Sequence, residues 1–103
     1  MTKVVFRKHR DGSVFALLPQ EPASPAYPEF CVSYYRAGRK DGTFCRLALA
    51  HSKPALPREY EPLLPDLEAT YPEFAPFTVA QRVTKRDHEL RKQKLQEYLA
   101  EGV

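Results

Sequence analysis

The chain has 103 residues, 43% of them apolar, with 16 Lys and Arg against 13 Asp and Glu and a formal net charge of +3. That length suits one domain with a single core, which needs neither metal nor disulfide support. No apolar run approaches the ~20 residues of a membrane span, no signal-peptide core follows Met1, and so weak a net charge does not by itself indicate nucleic acid.

Residues 3–9 and 13–18 read as a first β-hairpin closed at Asp11-Gly12, a dipeptide that supplies the positive backbone angles of a two-residue turn. Pairing about that turn sets Phe6 opposite Leu17 and Lys8 opposite Phe15, so Val4, Phe6, Phe15 and Leu17 share one face. A Pro-rich connector at 19–29 follows, with Pro19, Pro22, Pro25 and Pro28 at every third position, the period of a polyproline II helix. It reads as a stiff spacer, although the same spacing occurs in PxxP ligands.

Residues 30–36 and 43–50 read as a second hairpin around Asp41-Gly42, with Phe30, Val32, Tyr34, Cys45, Leu47 and Leu49 on its core face. In that register Cys31 and Cys45 point to opposite faces, which predicts free thiols and fits a cytoplasmic protein.

A helix over 57–70 has to accommodate Pro57, Pro62 and Pro65. An interior proline costs about 3 kcal/mol, whereas the first turn tolerates one. The expectation is one kinked helix, or a turn followed by a helix at 62–70 only, with Tyr60, Leu63, Leu64 and Leu67 as its buried stripe. Residues 77–84 alternate as a last strand. Thr84, with Asp87 three residues on, then caps a charged C-terminal helix over 85–100, within the segment 85–103.

Strands first and helices later predict a single α+β domain over 1–103: two antiparallel β-hairpins plus a fifth strand in one sheet, covered on one face by two helices. The expected core is Phe6, Phe15, Leu17, Phe30, Val32, Tyr34, Leu47, Leu49, Leu63, Leu67, Val79 and Val83.

Phe6-Arg7-Lys8 with Asp11-Gly12 and Ala16-Leu17-Leu18-Pro19, then Ser33-Tyr34 with Gly38, Lys53-Pro54-Ala55, Pro57 with Glu59-Tyr60, and Gln81-Arg82-Val83-Thr84 form one set of motifs. In these the chain resembles a family of short, uncharacterised bacterial proteins. It departs from that pattern at Pro62, Pro65 and the Pro-rich stretch 72–76. The resemblance implies no activity, cofactor or site residue.

Charge is zoned along the chain: residues 1–53 hold nine basic and four acidic groups, residues 54–76 one and five, and residues 77–103 six and four. No CxxC, HxxxH or HExxH spacing presets a metal site among two Cys and three His, and no glycine-rich phosphate loop occurs. No cofactor, metal, membrane contact or catalytic residue is expected. Two surfaces are. Arg7, Lys8, Arg10, Arg36, Arg39 and Lys40 at the hairpin tips, with Arg82, Lys85 and Arg86 at the strand-to-helix junction, are candidates for anion or nucleic-acid contact. Leu90, Leu95, Tyr98 and Leu99 on the last helix are candidates for a protein interface with an unknown partner or a second copy. The favoured expectation is a small non-catalytic binding protein, an adaptor or regulatory module. The alternative is a nucleic-acid-binding protein working through its basic tips.

Overall fold

The structure, a computed structural model, describes residues 1–36 and 40–102. Its elements in chain order are β1 (Thr2–His9), β2 (Val14–Pro22), β3 (Phe30–Tyr34), β4 (Lys40–Phe44), α1 (Cys45–Ala50), β5 (Ser52–Pro54), α2 (Pro57–Tyr60), α3 (Leu63–Thr70), β6 (Phe77–Ala80) and α4 (Lys85–Glu101). All strands join one sheet in the order β4-β3-β2-β1-β5, with β6 also on β1. The fold is α+β. The sheet is mixed rather than wholly antiparallel, because β6 runs parallel to β1 with Thr2 opposite Phe77 and Val5 opposite Ala80. β5 and β6 lie end to end along the outer side of β1, the first against Arg7–His9 and the second against Thr2–Val5.

The first hairpin forms one residue out of the expected register. Phe6 pairs with Ala16 and Arg7 with Phe15, because Arg10, Asp11 and Gly12 form a three-residue loop. His9 N–H donates to Ser13 O at 2.9 Å and Gly12 N–H to His9 O at 3.0 Å, while Gly12 holds φ +91°. A turn followed by a left-handed glycine is the usual three-residue alternative to the two-residue turn. A one-residue slip exchanges the faces of every side chain. Val4, Phe6, Ala16 and Leu18 therefore share one face, and Phe15 and Leu17 take the other.

Both faces are consequently apolar, and helices cover both rather than one. Leu63, Leu67 and Tyr71 of the α3 segment close the first face with Val32 and Tyr34. The Tyr34 hydroxyl donates to Asp66 Oδ2 at 2.8 Å, tying α3 to β3. On the second face, Cys31, Cys45 and Ala48 pack with Phe15 and Leu17, so α1 lies there. Each fully buried Leu or Phe contributes about 1.5–3 kcal/mol, so the Leu17–Phe15 pair alone anchors that layer firmly.

The second hairpin departs further. β3 pairs with 40–44 instead of 43–50, with Tyr34 opposite Lys40 and Phe30 opposite Phe44. Asp41-Gly42 therefore sits inside β4, and the connection runs through residues 35–39, of which 37–39 lie outside the described set. Residues 45–50 are helical, not extended. Ala, Leu and Arg are strong helix formers, and burial of Cys45 and Ala48 follows the three-residue helical spacing. Leu47, expected in the core, is 57% exposed as a result. Val79, also expected there, is 37% exposed because β6 is outermost. Phe30, Leu49 and Val83 are half-buried, and the other seven expected core residues are buried.

The proline-rich helix resolves as a single turn, α2, followed by α3, with Pro57 at the first position of α2 and Pro65 in the first turn of α3. The cap of α4 forms as the sequence predicts. Asp87 N–H donates to Thr84 Oγ1 at 3.3 Å, and Thr84 N–H donates to Asp87 Oδ2 at 2.7 Å. α4 docks along β2: Leu95 is buried, Lys94 pairs with Glu21, and Gln20 Nε2 donates to Asp87 Oδ1 at 2.9 Å.

Candidate functional site

The basic candidates fall into separate environments. Arg7 is committed inside the fold: its Nε donates to Ser52 Oγ at 2.9 Å, and its Nη2 donates to Leu49 O at 3.1 Å and Ser52 O at 2.6 Å. It thereby closes the C-terminal end of α1, where burial also pulls its pKa below the usual guanidinium range. Lys8 pairs with Glu59 at 2.5 Å, and that contact holds the Glu59 carboxyl below the usual range. Lys40 lies over the Tyr71 ring, 5.3 Å from its centroid. Arg36 lines a hollow of about 480 Å³ that also contains Glu59 and Asp66, so its charge is locally offset. Arg39 lies outside the described residues.

Arg82, Lys85 and Arg86 are exposed at the start of α4, and Arg86 pairs loosely with Glu89 at 3.8 Å. Lys3 bonds Asp87 at 2.6 Å, which places that junction beside the start of β1. Arg10 lies beyond the other end of β1, about 20 Å away at ~3.3 Å per residue. The expected basic surface is therefore split between opposite ends of the sheet.

What gathers around Arg10 was not anticipated. A cleft of about 440 Å³ opens between the Arg10 turn and the α1–β5 turn, lined by Lys8, His9, Arg10, His51, Ser52 and Lys53. The β1–β5 pairing builds it, setting Lys8 opposite Lys53 and His9 opposite Ser52. His9 stacks on Phe15 with ring centroids 4.3 Å apart, and its Nε2 lies 2.7 Å from the Tyr35 hydroxyl. Burial, Asp41 and Asp11 raise the Tyr35 pKa, so that phenol stays protonated. The Ser52 hydroxyl donates to Ala48 O at 2.6 Å while accepting from Arg7, and it is not an available nucleophile.

A second surface is apolar. Phe44 is 40% exposed and Leu47 57% exposed, where β4 passes into α1. With Arg46 and Ala50 they line a shallow hollow of about 420 Å³. Phe30 meets Phe44 edge-on at 5.2 Å and Tyr27 lies 5.3 Å from Phe30, extending the aromatic strip. β4 is the outermost strand of its side, so among the described residues no strand pairs with its outer edge. Helical spacing over 45–50 was the sequence signal that would have turned Leu47 outward. Of the residues expected to form an interface on α4, Leu95 is buried against the sheet, Leu90 is half-buried, and Tyr98 and Leu99 are exposed near the helix end.

The cysteines share a face, contrary to the expected register. Both are free thiols buried in the second cluster. The neighbouring Cys45, together with burial, pushes the Cys31 thiol up. The neighbouring Cys31, with Arg91 acting in the same direction, holds Cys45 below the usual range. Both are 0% exposed, out of reach of a substrate. Among the described residues no group of three or more His, Cys, Asp or Glu is placed to hold a metal ion, and no helix is long and apolar enough to cross a membrane.

No protein-family model, no curated protein and no solved structure matches this chain.

Proposed function

We propose that the protein is a small non-catalytic binding protein, an adaptor or regulatory module of the cytoplasm, that takes a protein partner against the outer edge of β4 and the exposed face of α1. The observation that carries this reading is the side-by-side exposure of Phe44 and Leu47 at the end of β4, whose outer edge pairs with no strand among the described residues. An extended partner segment can add to the free edge, and its apolar side chain fills the hollow beside Leu47. Exposed Arg46 at the rim favours a carboxylate nearby on that segment. The two cysteine thiols are buried and the Ser52 hydroxyl is engaged with Ala48 O, so none of these three is poised as a nucleophile.

The test is light scattering of the purified chain at low and high salt, with absorbance read at 260 and 280 nm. A dimer or a retained stoichiometric protein that survives high salt, and is lost in Phe44→Ser/Leu47→Ser, supports the proposal. Nucleic acid that co-purifies at low salt, leaves at high salt and is unaffected by those substitutions replaces it with the nucleic-acid reading, since phosphate contacts weaken steeply with salt.

A further inference from the structure

We infer that the cleft between the Arg10 turn and the α1–β5 turn is a binding site for a phosphate monoester of mononucleotide or sugar-phosphate size. Its volume of about 440 Å³ falls within the ~300–1,000 Å³ of small-ligand pockets. Three of its lining side chains, Lys8, Arg10 and Lys53, are cationic, His9 and His51 add two imidazoles, and none of its lining residues is a carboxylate. They come from the end of β1 and the turn after it, and from the α1–β5 turn and the paired strand β5, so cations from two separate chain segments converge on the cleft.

Arg10 and Lys53 carry the binding. Neither forms an ion pair among the described residues, whereas Lys8 is committed to Glu59 and Lys3 to Asp87. A monoester dianion matches two fixed cations, and the His51 imidazole flanks them, while His9 Nε2 is engaged by the Tyr35 hydroxyl. The C-terminal carbonyls of α1 face this region and would repel an anion if left bare. Three of them are satisfied: Leu47 O accepts from His51 N–H at 3.1 Å, Ala48 O from the Ser52 hydroxyl, and Leu49 O from Arg7. Arg7 therefore prepares the cleft without touching its contents.

The same placement disfavours a long phosphodiester strand. Binding along a backbone needs a continuous basic groove. The exposed cations Arg82, Lys85 and Arg86 lie about 20 Å off, at the other end of β1. One terminal phosphate has a place here, and a track of phosphates does not.

The experiment is an amide NMR titration of the wild-type chain with ribose 5-phosphate, adenosine monophosphate, adenosine and a single-stranded oligothymidylate. The expected result is saturable shifts at residues 9–10 and 51–53 with both monophosphates and none there with adenosine. Amides of 44–47 stay unmoved, which separates this site from the docking surface proposed above. Arg10→Ser/Lys53→Ser weakens the monophosphates at least about tenfold, while Arg82→Ser/Lys85→Ser leaves them unchanged. No shift at 9–10 and 51–53 up to about 10 mM monophosphate overturns the inference. So does equal binding of adenosine, or oligothymidylate binding at the cleft that ribose 5-phosphate does not displace. The wild-type mapping decides the matter even where a variant fails to fold.

Discussion

Arg91 Nη1 donates to Pro19 O at 2.7 Å, joining the middle of α4 to β2 through a hydrogen bond buried from solvent. The same guanidinium reaches Pro28 O through Nε at 2.9 Å and His88 Nδ1 through Nη2 at 2.9 Å. Arg91 is 1% exposed and forms no ion pair among the described residues. Pro19 lies inside β2 and Pro28 in the proline-rich connector that follows it, and the β2–β3 register breaks between Leu18 and Pro22. One side chain thus supplies donors to one carbonyl of β2 and one of the connector.

Arg91→Met keeps much of the volume and removes all of those donors. Leaving buried acceptors unsatisfied costs about 1–3 kcal/mol each. The expected loss is on the order of 3 kcal/mol in urea unfolding, with Arg91→Lys falling between Met and wild type because an ammonium cannot span three acceptors. Wild-type stability in Arg91→Met would show that the carbonyls find other donors.

His88 predicts a pH dependence. Arginine never accepts, so Nδ1 of His88 must, and the ring is neutral with its proton on Nε2. Burial lowers its pKa first, followed by Arg91 from its own helix and Arg46 from α1, with Lys92 adding to them and Asp87 opposing. A folded pKa below the unfolded one means that the unfolded chain binds more protons. The contribution of His88 is therefore complete above the unfolded value of about 6.5 and is lost as pH falls from there through the lower folded value. Urea midpoints should drop as pH falls below about 6.5 in the wild type and drop less in His88→Asn, whose Oδ1 can replace the acceptor. Equal slopes would show that His88 does not carry the dependence. Asp87 lies outside this window: burial raises its pKa, but Lys3, Gln20 and the Thr84 N–H outweigh that and hold it below the usual range.

The elements with local chemistry were readable from the sequence. Thr84 and Asp87 mark the start of α4, and Pro57 opens α2, because caps and prolines act within one turn of chain. Register was not readable. Asp11-Gly12 suits a two-residue or a three-residue loop, and only packing of Phe15 and Leu17 beneath α1 chooses between them. Likewise the alternation of Cys45, Leu47 and Leu49 fits a strand as well as a helix over so short a run, and Ala and Leu propensity decides for helix. The cleft was missed for that reason: moving residues 45–50 into α1 is what carries His51 and Lys53 to β1.

The two Asp-Gly pairs do different work, and mutation separates them. Gly12 needs its positive φ, and an added Cβ would meet nothing within 4 Å, so Gly12→Ala should cost about 1 kcal/mol in strain alone. At Gly42 the same atom would lie 2.7 Å from Ala23 Cβ, where the connector crosses β4. Gly42→Ala should cost about 1–3 kcal/mol through overpacking. Ala23→Gly in the same chain should return part of that loss while leaving Gly12→Ala unaffected. A double-mutant cycle in urea measures the coupling, and additivity of Gly42→Ala with Ala23→Gly would contradict the contact.

The thiols offer a separate test of the second core face. Cys45 opens α1 and is buried with Cys31 against Phe15 and Leu17, on one face rather than on the opposite faces that the two-residue turn at Asp41-Gly42 predicts. If α1 covers them, a thiol-reactive dye should label neither in the native chain and both once urea unfolds it. Labelling should then follow the opening of the native state and slow as stability rises, as in any site protected by burial. Prompt labelling of Cys45 alone in native buffer would mean that residues 45–50 lift from the sheet by themselves. The apolar hollow beside Leu47 would then belong to a mobile helix rather than a fixed docking face.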